Sequence, residues 1–188
     1  LLKLYEEIEN PLIPVVIDME REGMRIDREY AKVYGEELRG EIAALSEQLK
    51  VHFPNINVDS PAQLSAYLYD TLKLTPPTRK RSVDAESLEA LADEHDGCRT
   101  LLDYRERVKL YGTYVEALPH LIKADGNIHG QFNQVRAKTG RFSSNDPNLQ
   151  NQPANARKLF VAPPGKLMIS MDYSQIEPRV LAHISGDA

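Results

Sequence analysis

Cysteine is nearly absent from this 188-residue chain: Cys98 is the single copy, so no internal disulfide and no cysteine-built zinc site can form. Long apolar runs are also missing. The longest stretch, Leu12-Ile13-Pro14-Val15-Val16-Ile17, is far short of the ~20 residues that span a bilayer. No signal peptide is expected, because Glu6, Glu7 and Glu9 occupy the place of its apolar core. A reducing, cytoplasmic setting without membrane contact is the simplest expectation. A net basic charge is missing as well; the formal charge is −5 and the pI about 5.6. With 41% hydrophobic and 27% charged residues, the composition is that of a soluble globular protein and argues against general disorder. Its length suits one domain or two small ones with a real core.

The overall charge hides an asymmetry. Residues 1–50 carry 7 basic and 12 acidic side chains. Residues 135–181 carry 7 basic and 3 acidic. Phosphate binding answers to local charge, so the second window is the one to read for partners.

The first two thirds read as helices. Asn10-Pro11 predicts an N-cap followed by proline at the first helical position, with Gly23 as the stop. Asp27 is placed to cap a second helix with Tyr30, Leu38, Ile42 and Leu49 on one side. Ser60-Pro61-Ala62-Gln63 is a capping box, and Asp84 opens a further helix. One long helix is predicted from Cys98 to about Ile122, ended or kinked by Pro119. Between two of these helices, 74–82 holds two prolines and Arg79-Lys80-Arg81; it predicts an exposed tip, on composition alone an ordinary solvated loop. From Asn127 the period changes. Ile128, Gly130 and Phe132 alternate with polar residues as in a strand. Residues 137–156, rich in Ser, Asn, Gln, Pro and Gly, predict an irregular segment. Phe160-Val161 and Leu167–Met171 flank Pro163-Pro164-Gly165 as a hairpin would, and Ile176, Val180, Leu181 and Ile184 return to helical spacing.

Two segments could carry chemistry. Asp172 follows an apolar, strand-like stretch and precedes a helix start, where a carboxylate could hold a divalent cation or simply cap the helix. Thr139 to Pro153 concentrates Ser, Asn and Gln side chains around a lone Arg141. Such donors read minor-groove acceptors, and equally suit a solvated polar loop.

Asp172-Tyr173-Ser174-Gln175-Ile176-Glu177-Pro178-Arg179-Val180-Leu181-Ala182-His183-Ile184-Ser185-Gly186-Asp187 resembles the first catalytic motif of the family A DNA polymerases. Thr139 to Pro153 resembles the segment just before it. Pro11 to Asp27 resembles the family's entry helix, and Ser60–Leu64 with Tyr104–Tyr114 its thumb helices. The resemblance runs the length of the chain. It implies an α+β fold: entry helices over 1–27, a helical thumb over 28–125 with its basic tip near 75–83, and the first part of an antiparallel-sheet palm over 126–188.

The implied function is template-directed DNA synthesis, with nucleotidyl transfer from a dNTP to a primer 3′-hydroxyl by two Mg²⁺ ions. Asp172 matches the first metal carboxylate, and the Tyr173 carbonyl a further metal ligand. Ser174, Gln175, Ile176 and Glu177 line the incoming nucleotide, with Glu177 under its sugar excluding a 2′-hydroxyl. Arg157 matches a basic residue near the triphosphate. Arg141 matches the contact to the primer terminus, and Asn148 and Gln150 groove and template contacts. Arg79, Lys80, Arg81, Lys109 and Thr113 match contacts to the duplex. The implied partners are primer-template DNA and dNTP, bound by a monomer.

Three departures stand out. Pro178 replaces a usual leucine and disfavours helical backbone at Glu177. The stretch between Pro153 and Arg157 is shorter than in typical bacterial members, as in a phage-like or divergent lineage. No fingers helices and no second metal carboxylate follow, so the 188 residues are expected to be inactive alone. Two readings compete with catalysis: a non-catalytic DNA-binding module, and a helical protein-interaction domain. The latter does not account for the polar segment.

Overall fold

A computed structural model describes residues 1–186; Asp187, the last residue of the motif above, and Ala188 lie outside the described residues. Leu2–Leu4, a π-helical turn Tyr5–Glu9 and Asn10–Glu22 run on as one rod, α1. The N-cap expected at Asn10 is therefore not one. Asn10 is helical, and its N–H bonds to the Tyr5 carbonyl five residues back. Proline cannot donate and its ring crowds the carbonyl four residues earlier, so Pro11 follows a turn widened by one residue instead of starting a helix.

Gly23 ends α1 with φ +65°, its N–H bonded to the Met19 carbonyl at 3.0 Å. A Cβ there would fall 2.5 Å from the Ile128 carbonyl oxygen. Only glycine allows this approach, which lets the next residues enter a sheet. Met24–Ile26 is strand β1, not the helix expected over 1–27. It is central in a three-stranded antiparallel sheet, between β2 (Asn127–Ile128) and β5 (Phe160–Val161). Met24 pairs with Ile128, and Ile26 with Phe160.

Between β1 and β2 the chain makes a long helical arm. α2, Arg28–His52, starts on Asp27, whose Oδ1 accepts the Tyr30 N–H at 2.9 Å. Its 25 residues reach roughly 37 Å at 1.5 Å each. α3 covers 61–71, as Pro61–Ala66 and a π turn Tyr67–Thr71; α4 is Ala85–Leu91, capped by Asp84. α5 returns over 96–120, as Asp96–Leu110, a π turn Tyr111–Glu116 and Ala117–His120. It ends one residue past Pro119.

α2 and α5 lie antiparallel and carry a separate core at each end. At the far end, Leu49, Phe53, Leu64, Leu68, Leu88 and Leu101 are buried together. At the near end, Leu38, Leu110, Val115 and Leu118 pack with Ile26 and Ile128 of the sheet and with Leu159. The arm is thereby rooted in the sheet.

The alternation over 128–133 does not make one strand. It breaks at His129-Gly130, where a Cβ on Gly130 would meet the Pro147 carbonyl at 2.7 Å. β3, Gln131–Asn133, then pairs with β4, Ser143–Asn145, in a second sheet, so the segment expected to be irregular supplies a strand. α1 holds this sheet through Glu20, whose carboxylate accepts the Phe132 N–H at 2.7 Å. A 3₁₀ turn, Arg157–Leu159, precedes β5. The turn at Pro163–Lys166 closes (Lys166 N–H to Pro163 carbonyl, 3.0 Å), but the expected hairpin does not form. Leu167 and Met171 are each 88% exposed, and 167–171 pairs with no described strand. An apolar strand pattern needs a neighbouring strand to become one. α6, Ile176–Ser185, forms as expected but buries no side chain. Among the described residues no helix is long and apolar enough to cross a membrane.

At the far end of the arm, the neutral His95 imidazole caps α5 by accepting the Gly97 N–H at its Nδ1, 3.1 Å away. The His52 ring lies 5.8 Å from it, centre to centre. Burial, then the neighbouring His52, hold the His95 pKa below its usual value, with Asp96 opposing. In the unfolded chain a histidine titrates near 6.5. The unfolded state therefore binds the proton more readily, and stability falls as pH drops through 6.5 toward the lower folded value. His95→Asn, which still caps, should flatten the fall in urea-unfolding stability between about pH 7 and 5; an unchanged slope would show that His95 does not carry it.

Candidate nucleic-acid interface

The basic tip is not three equivalent cations. Residues 74–78 have no helix, and Arg79 and Lys80 project into solvent with no ionic or hydrogen-bond partner among the described residues. Arg81 is anchored: its guanidinium pairs with Asp70 at 2.7 Å and lies over the Tyr69 ring at 5.4 Å. Its carbonyl accepts the Ser65 hydroxyl at 3.0 Å. Two free charges thus stand on a braced loop.

The polar segment 139–153 is organised by its own side chains. Ser144, buried, accepts the Leu149 N–H at 3.1 Å and donates to the Pro147 carbonyl. Asn148 Oδ1 accepts the N–H groups of Gln150 and Asn151, at 3.0 and 3.1 Å. The Tyr114 hydroxyl donates to the Asn151 carbonyl at 3.0 Å, tying the segment to α5. The result is an open cleft of about 550 Å³ lined by Arg141, Phe142, Ser143, Asn148 and Gln150. Asn151 also lines a second depression of about 340 Å³, with Lys109 of α5 and Gln152. Arg141, Asn148 and Gln150 therefore border one depression and Lys109, with Glu106, the other, and Asn151 lines both. Thr113, one turn beyond Lys109, is exposed. Arg157 is exposed, its Nε–H on the Gln152 carbonyl at 3.4 Å.

Two residues lining these depressions escaped sequence reasoning. Ser143 Oγ and Gln152 Oε1 are buried with no hydrogen-bond partner among the described residues. Buried polar atoms normally find one. No spacing in the sequence sets these two apart from the other Ser and Gln side chains around them.

Asp172, Tyr173, Ser174 and Gln175 form an exposed, irregular approach to α6, and the buried strand expected to end at Asp172 is not there. Tyr173 is 81% exposed. Asp172 caps nothing: the residue before α6 is Gln175, with φ +51° and no side-chain cap. The Ser174 carbonyl accepts the Arg179 Nε–H at 2.9 Å. Pro178 does not expel Glu177 from the helix. It falls in the first turn, where its missing N–H has no partner to lose, and Glu177 is helical. The Glu177 carboxylate accepts a hydrogen bond from Arg141, joining α6 to the polar segment.

A two-metal site needs several converging ligands. Among the described residues, no group of three or more His, Cys, Asp or Glu side chains could hold a metal ion. Asp172 offers a single exposed carboxylate, and the described residues do not by themselves fit a pair of ions.

The strand-rooted arm, the cleft and the motif at 172–186 together match a known class. The family model for DNA polymerase family A matches residues 28–188, and the chain belongs to that family. Its relatives include the thermostable DNA polymerase I of Thermus aquaticus, 44% identical over all of this chain and 24% of its own length. The DNA polymerase I of Caldicellulosiruptor bescii is 43% identical over 98% of this chain and 23% of its own. The fold is similar to a solved structure described as the POL domain of Pol1 from M. smegmatis in complex with DNA primer-template and dNTP. That likeness has a TM-score of 0.88 at 34% identity and covers 100% of this chain and 35% of the other. The chain thus spans about a quarter of the length of the curated relatives it matches.

Because Asp172 has no bonded partner among the described residues and caps no helix, Asp172→Ala should change the unfolding free energy of the chain by less than ~0.5 kcal/mol. A loss above ~1 kcal/mol in urea unfolding would give it the structural role of a cap.

Proposed function

We propose that this chain is the thumb and the first part of the palm of a DNA-directed DNA polymerase, which joins deoxynucleotides to a primer 3′-hydroxyl on a DNA template. The observation that carries the reading is the pair of depressions that share Asn151, one bordered by Lys109 and the other by Arg141, Asn148 and Gln150, with Glu177 bonded to Arg141. It supplies donors and charge to a nucleic-acid groove, on a chain of the polymerase family. The thumb is the arm over 28–125; the palm takes 126–188 and, because it pairs with β2 and β5, β1.

In this reading Arg141 contacts the primer terminus in the minor groove, and Asn148 and Gln150 make groove and template contacts. Lys109, Thr113, Arg79, Lys80 and, with its charge shared by Asp70, Arg81 meet duplex phosphates. Such contacts position the duplex without reading sequence. Ser174, Gln175, Ile176 and Arg157 face the incoming dNTP. Glu177 lies under its sugar and rejects a 2′-hydroxyl by a clash. The family is metal-dependent, and the metal proposed is Mg²⁺. Asp172 and the Tyr173 carbonyl are the groups this chain offers it, insufficient alone for two ions. That observation favours a second reading for the 188 residues taken by themselves, in which they bind DNA without catalysis. The parent enzyme is read as a cytoplasmic monomer.

In a polymerase carrying this chain, Asp172→Ala should abolish primer extension while leaving primer-template affinity within about twofold. Near-normal extension would remove Asp172 from the reaction. For the chain itself, Arg79→Ala with Lys80→Ala should weaken duplex binding equally for all sequences. The slope of log affinity against log salt should flatten by up to about 1.8, or ~0.9 for each phosphate no longer neutralised. An unchanged slope would make the tip a solvated loop.

A further inference from the structure

We infer that Arg141 and Glu177 hold each other in a releasable latch when no DNA is bound, so that capture of the primer end frees the carboxylate that reads the sugar. The inference rests on the DNA contact proposed above for Arg141, and it adds Arg141 as a positioning residue for Glu177.

The two side chains come from elements 36 residues apart in sequence. Arg141 follows Gly140, whose φ of +74° turns the chain into β4 at the mouth of the cleft. Glu177 is the second residue of α6, a helix that buries none of its side chains. The ion pair therefore links the start of this loosely packed helix, which the Arg179 bond to the Ser174 carbonyl also braces, to the polar segment. Both partners are largely exposed, at 75% and 74%. An exposed pair is weak, because water and salt compete with it; a buried one would be too costly to break. Weakness is what a latch opened by a ligand requires.

The Arg141 guanidinium is also the cation that lines the cleft among neutral Asn, Gln and Ser side chains. With Glu177 on it, its charge is partly offset and a carboxylate stands where a polyanion must approach. Primer DNA and Glu177 thus compete for one guanidinium. By linkage, whatever Glu177 costs DNA binding, DNA binding costs the Arg141–Glu177 contact. The carboxylate would then be free to take its place under an incoming sugar only on a primer-bound chain.

The test is a double-mutant cycle on the 188-residue chain, with a short duplex bearing a recessed 3′ end as probe. Glu177→Gln should tighten binding roughly two- to fivefold, the range open to an exposed pair. In an Arg141→Ala background the same change should give less than about 1.5-fold. Equal gains in both backgrounds would overturn the latch, since they would report only the removal of a repelling charge. If Arg141→Ala alone left affinity unchanged, the DNA contact itself would fail, and the latch with it. A direct readout separates the latch from a merely structural pair. The terminal guanidinium Nη–H resonances of Arg141, whose Nη2 bonds Glu177, should shift on Glu177→Gln. They should lose their dependence on Glu177 once the probe is bound; persistence of that dependence in the complex would overturn release.

Discussion

The pairing of β1 with β2 is the constraint on which the rest of the structure depends. Met24 lies opposite Ile128, and everything between them is the helical arm. α2 starts two residues after β1, and α5 ends shortly before β2. A three-residue strand thus sets both feet of an arm tens of ångströms long. Its own hydrogen bonds are too few to do so alone. The stabilisation comes from Ile26, Ile128, Leu159, Leu38, Val115 and Leu118, buried as one core that joins sheet and helices. Gly23 is the hinge of this arrangement, because the close approach to Ile128 leaves no space for a side chain.

Rooted in this way, the arm has a core at each end. Its far core, beside His52 and His95, and its near core share no residue, although the same two helices carry both. The far end displays Arg79 and Lys80; the near end displays Lys109 beside the cleft. An acidic chain can therefore display exposed cations at both ends of the arm, and binding of a polyanion responds to the charge that is close.

Local chemistry was legible where neighbours in sequence decide it. Asp27, Ser60 and Asp84 cap helices through their own next turns, and Pro119 ends α5 in the same local manner. β1 was not legible, because three residues carry no measurable period and both partners lie more than a hundred positions downstream. Nor was the break at Gly130, which depends on the Pro147 carbonyl, or the π turn before Pro11. The strand expected before Asp172 shows the opposite failure. Its apolar pattern is sound, yet 167–171 has no described strand to pair with. At the candidate site, the motif pointed to Asp172 and Glu177, and the segment before it to Arg141, one by one. That two of them bond to each other, and that Arg81 is already engaged by Asp70, could come only from the fold.

The central claim is that tip, α5 and polar segment form one duplex-binding surface. The most direct test is backbone hydrogen exchange of the 188-residue chain, with and without a primer-template duplex at low salt. The account predicts slowed exchange in three separated stretches, 77–82, 109–114 and 139–153, with α1 and the far core unchanged. Slowing confined to the exposed face of α1, or no change in any of the three stretches, would contradict it.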